Sequence, residues 1–569
     1  MKKYDCGNFK KHTEGLQKRD QYAALKDFIA RGDGDKVMVL SGLRRSGKTT
    51  LAQQAVAEAS AAGVPCAFYE LDRHDTMDNL FAALDEELKA GTKAVVVDEA
   101  TNAPDFIGKA AEAADYYARA HGMRLVFLGT DSLSFAFACA DELTGRADVL
   151  RTTRVAFGEH CRVIGTKDID DYIKYGGLMR RGADRAAVSS LDDAKKYCDS
   201  AVALNIADSL SKYDGYRDVE SGLRGLTAED FKRIINRLAE AFSGRINEKT
   251  VNNELASVSV NAARDYLRHE EKGLIQSIWD ARKDITEEFA KRISADGGLS
   301  RPLSEKDVNL LIKYLLDMDA LSKNRVRIIQ TSLERRGEKH LVFGEYFITQ
   351  PAIKYWHLIE GLKFVDEFPA FRSLSVEQKK TVKKKLRGQT LGALTEQVVL
   401  ADTRSLLPEK YEVEKVMFQD GGESRGEYDM LVRDKEDFKY WAFEIKHTSE
   451  AFQGHKNGIY AGQDKYLADD ALTGLISEAF GDKEHVCVLY NGEPFVGANG
   501  TAYINTADFL REVYRRRDMR AVMDALVAEA EKRTEAPSEP RFNDAKDGAE
   551  TADGNRAKAA RRNAGKARR

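Results

Sequence analysis

The chain has 569 residues, 43% of them hydrophobic and 32% charged, with a formal net charge of -3. That length predicts about three or four domains, and so even a charge balance excludes a chain-wide polyanion-binding surface, leaving only local basic patches. The six cysteines are scattered without a CxxC pair, which argues against a zinc or disulfide framework, and no apolar run nears the roughly 20 residues of a membrane helix, so the expected location is cytoplasmic with no membrane partner.

Gln21 to Ala30 reads as a helix feeding a short apolar strand over 36–40. Next comes Gly42-Leu-Arg-Arg-Ser-Gly-Lys-Thr49, and then the helical pattern of Thr50 to Ala59. Strand, glycine-rich turn and helix is the context that makes a phosphate loop credible. Gly42 and Gly47 let successive backbone N–H groups converge on a triphosphate, while Arg44, Arg45, Ser46 and Thr50 complete the candidate ATP contacts. Lys48 supplies a point charge for the outer phosphates, and Thr49 would place its hydroxyl on Mg²⁺.

Val64 to Leu71 is a second strand and Met77 to Leu88 a returning helix. Ala94-Val-Val-Val-Asp-Glu-Ala100 then gives four apolar residues ending in two carboxylates, the shape of a Walker B element. Asp98 would join the Mg²⁺ shell, and Glu99 would orient or deprotonate the attacking water. A fourth strand, Arg124 to Leu128, runs into Gly129-Thr-Asp-Ser132, three of whose side chains are candidates for sensing the γ-phosphate. Such alternation predicts an α/β fold, a mostly parallel sheet with helices on both faces and nucleotide at the carboxyl ends of its strands.

These motifs resemble AAA-type ATPases of the archaeal ATPase kind, in which a C-terminal domain looks like a restriction endonuclease. Glu142-Leu-Thr-Gly-Arg146, Phe157-Gly-Glu159 and Tyr172-Ile-Lys-Tyr-Gly-Gly177 agree further, whereas Thr101 stands where the family usually has Gln. The resemblance implies that Arg146 is an arginine finger, acting in cis or, through self-association of the ATPase core, across a subunit contact. It divides the chain into a P-loop core over 1–165 and a helical lid over 166–243. The lid's amphipathic stretches are Leu191 to Tyr213 and Ala228 to Phe242.

Residues 244–350 look like a winged-helix module, with a helix start at Ser304 and a two-stranded wing at 325–330 and 340–343. The wing carries Arg325, Arg327, Arg335, Arg336 and Lys339 as candidate phosphate contacts on DNA. A basic helical linker over 351–386 includes Lys379, Lys380, Lys383 and Lys384, whose like charges a polyanion would relieve.

In 387–532, a helix carrying Glu396 precedes strands 411–418, 427–432 and 439–446. Side-chain alternation places Glu444 and Lys446 on one face, and Asp429 across a hairpin would join them. Two carboxylates and an ammonium are what a Mg²⁺-dependent nuclease needs, with Glu396 adding a ligand. The stretch resembles a PD-(D/E)xK nuclease-like domain, with Asp429, Glu444 and Lys446 on the core motif and Gln463 where relatives often have a helix glutamine. Residues 533–569 read as a disordered tail with a cationic tip. The function expected is an ATPase that couples nucleotide to DNA engagement, with DNA cleavage as the further activity implied. The alternative is a regulatory switch whose silent C-terminal domain binds a protein partner.

Overall fold

The computed structural model describes residues 1–31, 34–179, 186–212, 222–239, 299–330, 341–361, 372, 374–420, 423–447, 470–497 and 500–535. Two sheets organise it. The first has six strands in the order β1-β3-β4-β5-β2-β6. Strands β2 (Val37–Ser41), β3 (Cys66–Glu70), β4 (Ala94–Asp98), β5 (Arg124–Leu128) and β6 (Ala147–Arg151) run parallel. Strand β1 (Lys2–Tyr4), absent from the sequence expectation, pairs antiparallel with β3 at the edge. Strands β2, β4 and β5 are buried along their whole length, as expected for parallel strands covered on both faces. Strand β5 lies between β2 and β4, so the phosphate-loop and Walker B strands flank the strand that ends in Gly129.

Helix α1 (Lys48–Ala61) leaves the loop after β2, and α2 (Phe157–Ile164) follows β6. Helices Leu191–Tyr197 and Leu204–Lys212, in the stretch expected as a lid, share an apolar core with β2, β4 and β5 and with helix Glu305–Asp317. That last helix starts at Ser304, whose side chain and that of Asp307 cap each other's backbone N–H.

The second sheet has eight strands in the order β13-β14-β12-β11-β10-β9-β7-β8. The two strands expected to form a wing are the antiparallel pair β7 (Leu321–Gln330) and β8 (Leu341–Ile348). Strand β7 also pairs in parallel with β9 (Tyr411–Asp420), so the hairpin extends the C-terminal sheet instead of closing a module of its own. Helix α3 (Val376–Leu406) runs unbroken for 31 residues across the boundary expected at 386/387. The basic stretch and Glu396 therefore share one rigid rod. Strands β10 (Glu423–Asp434) and β11 (Lys439–Ile445) form the expected hairpin, followed by β12 (Asp482–Tyr490), β13 (Phe495–Val496), β14 (Ala502–Asn505) and helix α4 (Thr506–Arg516).

The two units are docked through the segment after β6. Phe157, Ile169 and Tyr172 pack into the apolar core of the C-terminal sheet with Leu394, Trp441 and Phe509. At its centre Arg154 pairs with Asp402 of α3, and Asp402 also accepts from Phe157 N at 2.7 Å. Among the described residues no helix is long and apolar enough to cross a membrane. Residues 331–340, which hold Arg335, Arg336 and Lys339, lie outside the described residues, as do Gln463 and the tail beyond Glu535.

Candidate functional site

The phosphate loop is shaped by glycines where nothing else fits. At Gly42, with φ +153°, a Cβ would stand 2.2 Å from Thr152 Oγ1 and 2.3 Å from Thr152 O. Gly47, with φ +87°, turns the chain into α1. Lys48 is 5% exposed and donates to Gly42 O at 2.6 Å and Leu43 O at 3.0 Å, spanning the loop from within. Burial lowers its pKa to about 8 against the opposing pull of Glu99 and Asp98.

Neighbouring elements grip the loop from outside. Tyr197 OH donates to Arg44 O at 2.8 Å, Met179 N to Arg45 O at 2.9 Å, and Ser46 Oγ shares a 2.7 Å hydrogen bond with Thr152 Oγ1. Arg44 is exposed, Arg45 is half-buried at φ 64°, and Thr50 is half-buried on the first turn of α1.

Opposite stands the Walker B pair. Asp98 Oδ2 accepts from Thr49 Oγ1 at 2.8 Å and Asp98 Oδ1 from Glu99 N at 2.9 Å. Burial, with the Glu99 charge behind it, pushes the Asp98 carboxyl up to about 6. A hydroxyl and a buried carboxylate in contact at the loop mouth form an oxygen donor set that suits Mg²⁺ arriving with phosphates. Glu99 sits at φ 51°, and its Oε2 accepts from Thr130 N at 3.2 Å and Thr130 Oγ1 at 3.1 Å. Of the three sensor candidates, Thr130 is thus the one joined to Glu99. Asp131 instead accepts from Ser134 N at 3.0 Å and from Ser209 Oγ of helix Leu204–Lys212 at 2.5 Å.

Arg146 is not at this site. It precedes β6, its carbonyl accepts from Val37 N at 2.9 Å, and its guanidinium is bound to Asp115 at 2.9 and 3.0 Å. Val37 begins the five-residue strand β2 that ends at the loop, which at about 3.3 Å per residue puts Arg146 roughly 16 Å from it. The cis finger is therefore corrected: strand direction carries this arginine to the amino end of the sheet.

In the C-terminal unit the predicted residues do meet. Asp429, 3% exposed, accepts from Ile445 N at 2.7 Å, which lays it against β11 between Glu444 and Lys446. Lys446 Nζ contacts Glu444 and lies 3.9 Å from Asp429 Oδ2. A residue the sequence reading missed, Lys415 of β9, lies 3.9 Å from both Glu396 and Asp429 and 3.1 Å from Glu427. Burial and the Asp429 charge push Glu396 up to about 8 and Glu444 up to about 7, and burial raises Asp429 as well.

These carboxylates repel one another, and two ammonium groups stand between them. Among the described residues no group of three or more His, Cys, Asp or Glu side chains is placed to hold a metal ion. The members of the expected Mg²⁺ set are paired with lysines instead, Glu396 and Asp429 with Lys415, and Asp429 and Glu444 with Lys446. The two described arginines of the expected wing are likewise committed, Arg325 to Glu412 at 2.5 Å and Glu414 at 2.9 Å, and Arg327 to Glu414 at 2.7 Å. Their charge is spent within the sheet.

Residues 34–161 match the family model described as an AAA domain. This segment is similar to AAA-type P-loop domains. The match runs from just before β2 to within α2, and so takes in Gly42 to Thr49, Asp98, Glu99 and Thr130. Among solved structures, the Aeropyrum pernix ORC1 protein in complex with DNA is similar at 14% identity and a TM-score of 0.22, covering 66% of this chain and 99% of that one. No curated protein matches the chain.

Proposed function

We propose that the AAA domain binds ATP with Mg²⁺ and hydrolyses it. The observation that carries this reading is the contact of Thr49 with Asp98 beside a Glu99 held by Thr130. Backbone N–H groups of 42–49 and the start of α1 cradle the phosphates, and Lys48 exchanges its loop carbonyls for their outer oxygens. Bound Mg²⁺ would neutralise developing charge on the phosphates, with Thr49 and Asp98 as the residues that hold it.

Thr130 fixes one oxygen of Glu99, leaving the other to accept a proton from the water that attacks the γ-phosphorus as the bond to ADP breaks. Glu99→Gln is expected to retain ATP binding and lose turnover by at least about a hundredfold. Equal turnover by the variant defeats the assignment.

For the C-terminal unit, the reading best supported is a module that engages DNA through the first half of α3 without cutting it. Lys380, Lys383, Lys384 and Arg387 are exposed there on one rigid helix, a suitable surface for a phosphate backbone. Lys415, lodged among the carboxylates, favours a silent centre over a cleaving one. Labelled duplex and single-stranded DNA with Mg²⁺ and ATP would separate the two: binding without cleavage is expected. Cleavage abolished by Asp429→Ala and Glu444→Ala would establish a nuclease instead.

A further inference from the structure

We infer that Arg19, outside every nucleotide motif, is a positioning residue of the phosphate loop that acts through the Ser46–Gly47 peptide. The inference rests on the reading of the AAA domain as an ATP site.

Arg19 is 4% exposed and uses its whole fork. Its Nε and Nη2 donate to the two oxygens of Glu159 on α2, at 3.0 and 2.7 Å. Its Nη1 donates to Ser46 O at 2.7 Å and to Thr153 O at 3.2 Å. Glu159 is fixed in turn by Asp20 N at 2.9 Å. The side chain also packs on the loop itself, since a Cβ on Gly47 would come within 3.3 Å of Arg19 Cδ.

A guanidinium on the Ser46 carbonyl does two things. It holds that peptide plane at one angle, so the Gly47 N–H on its other side keeps its aim. It also polarises the peptide, because a charged donor on the oxygen makes the N–H of the same unit a stronger donor. Gly47 N–H belongs to the cradle that a triphosphate would occupy, so the arginine's positive charge reaches the phosphate through one peptide bond without touching it. A lysine would not reproduce this, because a single ammonium lacks the planar fork that satisfies Glu159 and Ser46 together.

The competing role is a buried ion pair that merely ties the N-terminal segment to α2. The two separate on ATP affinity, measured by calorimetry on the full chain alongside the nucleotide-free thermal midpoint. Arg19→Lys keeps a charge opposite Glu159 but gives up Ser46 O. It is expected to bind ATP about tenfold to a hundredfold more weakly, the loss of one charge-assisted hydrogen bond, with KM for ATP rising in step. Glu159→Asp keeps both charges and withdraws the guanidinium by one methylene. It should weaken ATP binding in the same direction, and it decides the matter alone if Arg19→Lys does not fold. A folded variant that binds ATP as the wild type does overturns the role of Arg19. A wild-type chain that binds no ATP overturns the nucleotide reading as well.

Discussion

Asp402→Ala should cut the docking of the AAA domain onto the C-terminal unit. The Asp402 side chain is fully buried and Arg154 is 7% exposed. Truncation leaves the guanidinium without its counter-charge and Phe157 N–H without its acceptor. Breaking a buried pair by removing one partner costs about 3–5 kcal/mol. At about 2–4 °C per kcal/mol that is a fall in Tm of roughly 6–20 °C.

The three tryptophans, Trp279, Trp356 and Trp441, all lie outside residues 34–161, and Trp441 is buried in the core of the C-terminal sheet. Urea titration followed by the fluorescence of Trp441, with Trp279→Phe and Trp356→Phe as the common background, therefore reports the C-terminal unit, while far-UV circular dichroism reports both. Coincident transitions in the wild type should separate in the variant. Because the desolvation of both charges is then avoided, Arg154→Met with Asp402→Leu is expected to recover most of the loss. A loss below about 1 kcal/mol, or transitions that stay coincident, refutes the reasoning.

Folded-state pKa values of about 8 for Glu396 and about 7 for Glu444 lie above those of the unfolded chain. Their contribution to stability is thus complete at low pH and is lost as pH rises through 7 to 8. Glu396→Gln should flatten the fall in Tm between pH 5 and 8.5, and an unchanged profile contradicts those surroundings. Lys415→Met should gain a Mn²⁺ site, detected by electron paramagnetic resonance without nucleotide and removed again by Asp429→Asn. Equal Mn²⁺ binding by the wild type would show that Lys415 does not occupy the cluster. Arg146→Ala should leave ATP affinity within about twofold in the monomer, the range of an exposed ion pair, and a larger loss in calorimetry would contradict its place at the far end of the sheet.

The nucleotide motifs were legible because each is contiguous. Gly42 to Thr49 and Val95 to Glu99 bring their own strand and turn, and local sequence determines where the functional atoms point. Asp429, Glu444 and Lys446 were legible for a related reason, since alternation along a hairpin carries register over short distances. What was missed depends on pairings far apart in the chain.

Arg154 and Asp402 are 248 residues apart and Arg19 and Glu159 are 140 apart, and each is an ordinary charged residue in its own neighbourhood. The parallel pairing of β7 with β9 made a hairpin that looked self-sufficient into part of a larger sheet, and Glu412 and Glu414 on β9 then took up its arginines. Lys415 gave no signal because the same strand carries it toward Glu396 and Asp429 only once the sheet has formed. The cis reading of Arg146 fell for a geometric reason: a motif identifies a segment but not the end of the sheet to which strand direction carries it.

The most direct test is ATP binding and turnover by the full chain against Lys48→Ala, with both proteins shown to be folded. Saturable heat on adding ATP with Mg²⁺ to the wild type and its loss in the variant, together with phosphate release by the wild type alone, is the predicted result. A wild type that takes up no ATP, or a variant that turns it over as fast, contradicts the account.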